Sequence, residues 1–539
     1  MMAPASAAAW SLDHRPGLRH TLVALIFALG ALPKLIYLFS HGALWGDEAA
    51  LAMNIGPRGF LELGRPFVYL QVCPWGAMAG IKVMTLLLGT GEVGYRAFPT
   101  LAALAAMAFT YPLGARIHSR EAGLVAMFLT GLGYWLTHYS AELKPYSLDA
   151  TAAVLLLLLA ARVLAAPQDN RAFVGLFAAG LVAVWSSITA LFVLAGVGTA
   201  LAFDAFTQRR GARRLVVVAG AGVAWVVAFA VHYQAYLVRS AVASDKKAVV
   251  FWNDGFAPMP PTTLAQLRWY PAKFFYAFVG PGGLGLRYLA GLAFLLGLYL
   301  LYKKGKLSFV VLLVSPLVYV LLASMLKRYP MLGRLVLFMI PSLVIPIGVT
   351  VAEGLAHARK AVRVAALALP LLLVAPTLKA SWHRVRPQPG LRDMRHVMEE
   401  IAADFRDGDV IYMAGGGYAT IFDFYAEQYK LPKIYVGVDN LRHFDEQKRF
   451  PHLVEVPPLA FGKPRVWFIG STISDPGGDR DLLRSTEDPA SFLGRFFARH
   501  GGRKLSSSPA HDMVLELWDM SDAVTPTGDA AIENPRPAD

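Results

Sequence analysis

Apolar runs of roughly 17–22 residues recur along the first two-thirds of the chain, each long enough as a helix to cross the ~30 Å of a bilayer's hydrocarbon. No other feature narrows the fold as far. Lipid offers backbone amides no partner outside the chain, so such a run in a bilayer must be helical. Spans are expected at Thr21–Phe39, Ala97–Ala115, Ala122–Leu136, Leu148–Ala165, Ala172–Ser187, Ile188–Phe206, Leu215–Tyr236, Leu286–Tyr302, Leu307–Leu326, Leu335–Val351 and Val364–Leu378. The 539 residues are 56% hydrophobic and 16% charged, with mean hydropathy +0.46, as an integral-membrane protein requires. The first run follows Arg15, Arg19 and His20 and is too long for a cleaved signal peptide, so it is expected to stay as the first span.

The net charge of +14 raises nucleic acid as a partner. Its distribution excludes that reading, because the basic residues fall in short clusters between apolar runs. The N-terminal Arg/His segment, RIHSR (Arg116–Arg120), QDNR (Gln168–Arg171), QRRGARR (Gln208–Arg214), YKKGK (Tyr302–Lys306) and HARKAVR (His357–Arg363) alternate with the remaining loops. Placed on one side, they mark the cytoplasm. The opposite face then receives Asp47 and Glu48, His138–Asp149, the loop Leu237–Gly285, Lys327–Arg334 and everything after Lys379. Gln71–Leu88 is apolar, but counting it as a span would invert every later loop. With Pro74 and Lys82 inside it, it is expected to lie along the interface or re-enter, making Ser40–Tyr95 one external loop with a short helix at Ala49–Leu63. Cys73 is the only cysteine, which excludes an intramolecular disulfide and a cysteine-based metal site.

After Trp382 charges and prolines become frequent. Asp393–Phe405 has helical spacing, with Met394, Val397, Met398, Ile401 and Phe405 on one face. Strands are expected at Asp409–Met413, Ile434–Val438, Arg465–Ile469 and Met513–Trp518, with helices at Thr420–Tyr429 and Phe492–His500. This alternation predicts a small α/β domain over residues 381–520 beyond a membrane domain of residues 1–380, then a disordered tail over 521–539.

Charged residues beside the spans are the candidates for chemistry, since charge near lipid must be solvated or used. Asp47 and Glu48 sit in LWGDEAALAMNI, just after the first span. They can cap a helix, or one can be a general base that takes the proton of an attacking hydroxyl. In HYSAELKPYSLDA, Glu142, Lys144 and Asp149 are interleaved with Tyr139 and Tyr146, as an interfacial loop or as the lining of a wet cavity. Arg96 lies four residues after Glu92 and can pair with it or bind an anion. Lys327, Arg328 and Arg334 lie on the face that the charge rule leaves poor in cations. Lipid headgroups in general, or one lipid phosphate in particular, would account for them. Gly415-Gly416-Gly417 reads as a turn before it reads as a phosphate cradle. Pro258, Pro260 and Pro261 with the aromatics around them suit an interfacial lid or an aromatic belt. The histidines have no ligand spacing such as HExxH.

The order of these motifs (a first span, a DE pair, GEVGYRAFPTL, YSAELKPYSLD, KRYPMLGRLVLFMIP) resembles the type C fold of glycosyltransferases that use polyprenyl-phosphate-linked sugars. Within it, the closest resemblance is to the superfamily of protein O-mannosyltransferases and aminoarabinose lipid A transferases, with the bacterial lipopolysaccharide-core glycosyltransferases. The resemblance covers roughly the first 340 residues. It implies a polytopic helical membrane bundle of about 11 spans, a lipid-phosphate-linked sugar donor, a cell-envelope acceptor and chemistry on the extracytoplasmic face of a bacterial inner membrane, with the N-terminus cytoplasmic. It implies that Asp47 is the base, that Glu48 contacts substrate or metal, that Arg96 lies near the catalytic loop, and that Glu142 and Asp149 form a second acidic loop. Lys144, Tyr146, Arg328, Arg334 and Arg65 are the remaining candidates for substrate or phosphate binding. The phosphate ligand falls among Arg65, Lys144, Arg328 and Arg334. Some relatives use a divalent cation and others none; no ligand set is evident here. One base and no covalent carboxylate imply inversion at the anomeric carbon. The competing readings are a transporter or flippase for an anionic lipid or solute, and a noncatalytic assembly protein whose C-terminal domain binds a partner. Intramembrane charge and an inverted repeat would favour transport, and neither stands out.

Overall fold

A computed structural model describes Leu12 and residues 15–40, 42–68, 71–238, 252–386, 394–413, 419–432, 435–436, 458–471, 494, 497–510 and 513–524. The chain divides into two compact units. One comprises Met1–His41 with Asn54–Pro387, the other Gly42–Met53 with Gln388–Asp539.

The first unit is helical. Among the described residues eight helices are long and apolar enough to cross a membrane: Pro16–Ser40, Glu92–Ile117, Tyr146–Ala165, Ala190–Thr207, Ala212–Leu237, Leu307–Met325, Gly333–Leu355 and Lys360–Val385. Gly333–Leu355 is the inner post, with 89% of its apolar window buried, against 17% for the peripheral Lys360–Val385. Peripheral helices turn Leu and Val outward, as at Leu367, Leu371, Val223 and Val226, which is how a lipid-facing surface is made.

In lipid, close packing substitutes for the hydrophobic effect, and small residues permit it. Gly348 on the inner post sits so near Arg120–Leu132 that a Cβ there would lie 2.4 Å from the Ala122 carbonyl oxygen. On its other side, Gly297 of the helix Arg287–Lys303 would place a Cβ 1.9 Å from the Pro346 oxygen. Lys34, in the first span, is fully buried. Its ammonium donates to the oxygens of Gly30 at 3.1 Å, Gly131 at 2.6 Å and Thr137 Oγ1 at 3.0 Å. These three bonds tie the first span to the end of Arg120–Leu132.

Several boundaries differ from the sequence reading. Ala122–Leu136 is not one span. The helix stops at Leu132 after 13 residues, and the Tyr134 N–H turns to the Gly283 oxygen at 2.9 Å. The runs expected at Ala172–Ser187 and Leu286–Tyr302 form helices of 17 residues each, Asn170–Ser186 and Arg287–Lys303. Trp75–Leu88 has 14 residues, about 21 Å of helix, too short to span. Its Lys82 donates inward to the Gly56 oxygen at 2.7 Å. The helix expected at Ala49–Leu63 is two elements, Gly46–Ile55 and a 3₁₀ segment Phe60–Gly64. The segment read as the loop Leu237–Gly285 contains a 16-residue helix, Leu264–Val279, started by a reciprocal cap between Thr263 and Gln266.

The second unit carries a five-stranded mixed sheet. Its strands are β1 (Val410–Met413), β2 (Tyr435–Val436), β3 (Val466–Ser471), β4 (Arg503–Ala510) and β5 (Met513–Asp519), in the order β2-β1-β3-β5-β4. β1 is parallel to β2 and β3, whereas β5 is antiparallel to β3 and β4. Tyr412, Val466, Phe468, Phe497 and Trp518 form its core. The helix Met394–Asp404 buries Met394, Val397, Met398 and Ile401, the face its spacing predicts, while Phe405 is half-buried beyond its end. β4 is absent from the sequence reading. Gly415–Gly417, most of the Phe492–Phe496 stretch and the tail from residue 525 lie outside the described residues.

Candidate active site

The second acidic loop of the first unit is pinned from both ends. The Ser147 hydroxyl donates to the Tyr139 oxygen at 2.9 Å, and the Thr100 hydroxyl donates to the Ser140 oxygen at 3.0 Å. Pro145 then starts the helix Tyr146–Ala165. These constraints hold Glu142, Lys144 and Asp149 almost entirely out of solvent, and each has a partner. Arg384 Nη2 donates to Glu142 Oε1 at 2.9 Å, with His138 Nε2 at 3.5 Å from the same oxygen. Lys144 Nζ donates to Gln71 Oε1 at 2.5 Å. The Ser187 hydroxyl donates to Asp149 Oδ1 at 2.5 Å and lies 3.1 Å from Thr189 Oγ1. Ser187 is also the break between the helices Asn170–Ser186 and Ala190–Thr207, so a polar hinge supplies the contact that Asp149 needs.

Burial raises the neighbouring phenols and thiol out of their titrating range. Desolvation, with the Glu142 carboxylate adding, pushes the Tyr139 phenol up to about 12, and burial pushes the Cys73 thiol up to about 12. The Tyr329 phenol is raised well above its ordinary value by burial, with Asp149 and Tyr146 adding. These groups are neutral hydrogen-bonding walls at pH 7.

Arg334 completes this set. Its Cζ lies over the Tyr146 ring at 5.7 Å and over the Trp252 ring at 5.4 Å. Tyr146, Lys144, Asp149 and Arg334 are thus gathered around one loop. Arg96 is fully buried on Glu92–Ile117. Two candidates stand apart. Arg65 is exposed and paired with Glu62 at 2.8 Å. Arg328 is exposed on the turn after Leu307–Met325, where Lys327 Nζ lies over Phe256 at 5.4 Å.

In the second unit the DE pair opens the helix Gly46–Ile55. The two carboxylates are unlike. Glu48 is fully buried, and its Oε2 accepts the Trp45 N–H at 3.2 Å. Glu48 thus makes a capping contact at the start of the helix. Asp47 is half-buried in the first turn, where the helix dipole favours a carboxylate. The Leu44 N–H donates to the Tyr425 hydroxyl at 2.8 Å, tying this segment to the helix Ala419–Tyr429.

Among the described residues no group of three or more His, Cys, Asp or Glu could hold a metal ion. Glu142 lies against Arg384 and His138, and Asp149 against Ser187. Arg384, Gln71, Ser187, Tyr329 and Trp252 were not singled out from the sequence. A polar side chain interrupting apolar sequence is the signal for Ser187; Arg384 carries none.

A polytopic helical membrane bundle with a C-terminal α/β domain and these loops is the fold of the type C glycosyltransferases. No family model matches the chain, and no curated protein matches it in sequence. Solved structures match it in fold. ArnT from Cupriavidus metallidurans in the apo state has a TM-score of 0.54 and 14% identity, covering 95% of this chain and 99% of that one. ArnT bound to undecaprenyl phosphate has a TM-score of 0.53 and 14% identity, covering 92% and 97%. The Archaeoglobus fulgidus oligosaccharyltransferase in complex with Zn and sulfate has a TM-score of 0.53 and 12% identity, covering 82% and 67%.

Proposed function

We propose that this chain is an inverting glycosyltransferase of the bacterial inner membrane that moves one monosaccharide from a polyprenyl-phosphate donor to a hydroxyl of a cell-envelope acceptor. The N-terminus is cytoplasmic in this reading, and the chemistry is extracytoplasmic. The observation that carries it is the gathering of Lys144, Tyr146, Asp149 and Arg334 around one buried loop, in a fold shared end to end with a protein solved with undecaprenyl phosphate.

The chemistry follows from charge. The acceptor oxygen forms a bond to the anomeric carbon on the face opposite the phosphate. The carbon–oxygen bond to the phosphate breaks through an oxocarbenium-like state, and its electron pair stays on the phosphate oxygen. The acceptor proton passes to Asp47, the more accessible carboxylate of its pair. Glu48 holds the helix start that aims it. The leaving phosphate gains negative charge, which Arg334 and Lys144 stabilise without a general acid. Asp149, bound to Ser187, and Glu142, bound to Arg384, hold the loop in shape, with Thr100 of Glu92–Ile117 bound to its Ser140 oxygen and Arg96 buried one turn before Thr100.

The test compares envelope glycans by mass spectrometry with and without the gene, complemented by wild type or by Asp47→Asn. The expected result is the loss of one monosaccharide mass, restored by wild type and not by the variant. Flux of a lipid or solute with no covalent product would overturn the reading in favour of transport.

A further inference from the structure

The Arg334 guanidinium lies over aromatic rings on two different segments. Tyr146 opens a membrane-spanning helix, whereas Trp252 belongs to a strap of residues 252–258. The strap is stitched to the segment that bears Arg334. The Met331 N–H donates to the Gly255 oxygen at 2.7 Å. The Ala257 N–H donates to Ser324 Oγ at 2.9 Å, and the Ser324 hydroxyl donates to the Gly255 oxygen at 3.0 Å. A Cβ on Gly255 would lie 2.8 Å from Pro330 Cβ, so the two segments touch at backbone distance. Lys327 over Phe256 adds a further contact along the same seam.

A guanidinium carries its N–H donors in its plane, at its edge, and rings on two sides of it limit how that plane can swing. That edge matches two oxygens of a phosphate, and a fixed plane loses less entropy on binding than a swinging one. We infer that Trp252 is a positioning residue that, with Tyr146, orients Arg334 to grip the phosphate of the lipid-linked donor, and that this grip does not extend to Arg328 or Arg65. The inference rests on the glycosyltransferase reading and says what orients one of its two phosphate-binding cations. The strap makes donor affinity depend on a segment about 80 residues away in sequence from the ligand.

The test measures binding of undecaprenyl phosphate to the purified full-length chain in detergent, together with donor and acceptor KM where turnover is followed. Trp252→Ala and Arg334→Lys are expected to weaken binding about 10-fold and to raise donor KM without moving acceptor KM. Trp252→Phe, which keeps a ring, is expected to stay within about two-fold of wild type. Arg328→Ala is expected to bind as wild type. Should Trp252→Ala fail to fold, Arg334→Lys and Trp252→Phe decide alone. Wild-type binding matched by Trp252→Ala or by Arg334→Lys overturns the clamp and leaves the glycosyltransferase reading standing. Failure of the wild type to bind overturns both.

Discussion

The Arg384 guanidinium reaches the Glu142 carboxylate at 2.9 Å, joining residues 242 positions apart. It fastens the acidic loop to the end of the Lys360–Val385 helix. Glu142 is almost wholly buried while Arg384 is partly exposed. Removing the arginine strips this buried carboxylate of its guanidinium partner. Arg384→Ala is therefore expected to destabilise the first unit by about 1–3 kcal/mol, discounted from a fully buried pair for the arginine's exposure. Thermal unfolding in detergent checks this. A double-mutant cycle with Glu142→Gln should return a coupling above about 0.5 kcal/mol, and strict additivity would refute the pairing.

The two carboxylates of the DE pair should separate by assay. Asp47→Asn removes the base and is expected to lower turnover by about 10²–10⁴-fold with folding intact. Glu48→Gln keeps an oxygen for the Trp45 N–H, so it should fold and retain measurable transfer. Glu48→Ala loses the cap at a cost of about 1 kcal/mol. Turnover and melting temperature measured on all three variants decide the assignment, and equal activity of Asp47→Asn and wild type would remove Asp47 from the mechanism.

Lys34 gives a structural prediction with no catalytic component. Its ammonium meets three oxygens inside the bundle. Lys34→Met leaves the Gly131 carbonyl and Thr137 hydroxyl short of a donor and should cost about 1–3 kcal/mol. Donor and acceptor KM should not change. A selective loss of activity at unchanged melting temperature would point instead to a proton or ion path.

The inner post should tolerate no added methyl. Gly348→Ala drives a Cβ against the Ala122 oxygen, and Gly297→Ala drives one against the Pro346 oxygen. Each is expected to cost about 1–3 kcal/mol or to abolish folding. Gly175→Ala, with nothing within 4 Å, should be within about 0.5 kcal/mol of wild type. Monodispersity and unfolding midpoint in detergent report the contrast.

Acid should loosen the second unit through Asp404. Its carboxyl is held below the ordinary value of 3.8, first by the hydrogen bond from Arg465, which also pairs with Asp409 at 3.0 Å. A depressed folded pKa stabilises above the unfolded pKa and is lost as pH falls through the folded one. Asp404→Asn should therefore increase hydrogen exchange of β1 and β3 relative to wild type at pH 7, and the difference should vanish well below pH 3.8. A difference unchanged by pH would refute the ionic origin.

The long spans were legible because lipid demands unbroken apolar runs, and the acid-bearing loops were legible because charge beside such runs stands out. What escaped was decided by contacts remote in sequence. Nothing around Gly133 foretells that the Tyr134 amide turns to Gly283. The helix Leu264–Val279 hides behind prolines and aromatics that resemble a belt, with Pro271 inside it. β4, sequence RKLSSSPA, has no apolar alternation because it is an edge strand whose partner β5 supplies the burial. Glu48 can reach back to the Trp45 N–H because the helix begins at Gly46, one residue before the pair.

The helix that carries Asp47 belongs with a body whose other parts are made last. Tyr425, whose hydroxyl receives the Leu44 amide, follows Leu44 by 381 residues. A ribosome adding roughly 5–20 residues per second leaves that helix without this partner for about 20–75 s. The spans from Glu92 to Val385 are synthesised within that interval and can enter the bilayer before Tyr425 exists. The carboxylate is thus encoded early and framed late, so a chain whose synthesis stops between the last span and Tyr425 delivers a membrane bundle in which the DE helix lacks this partner.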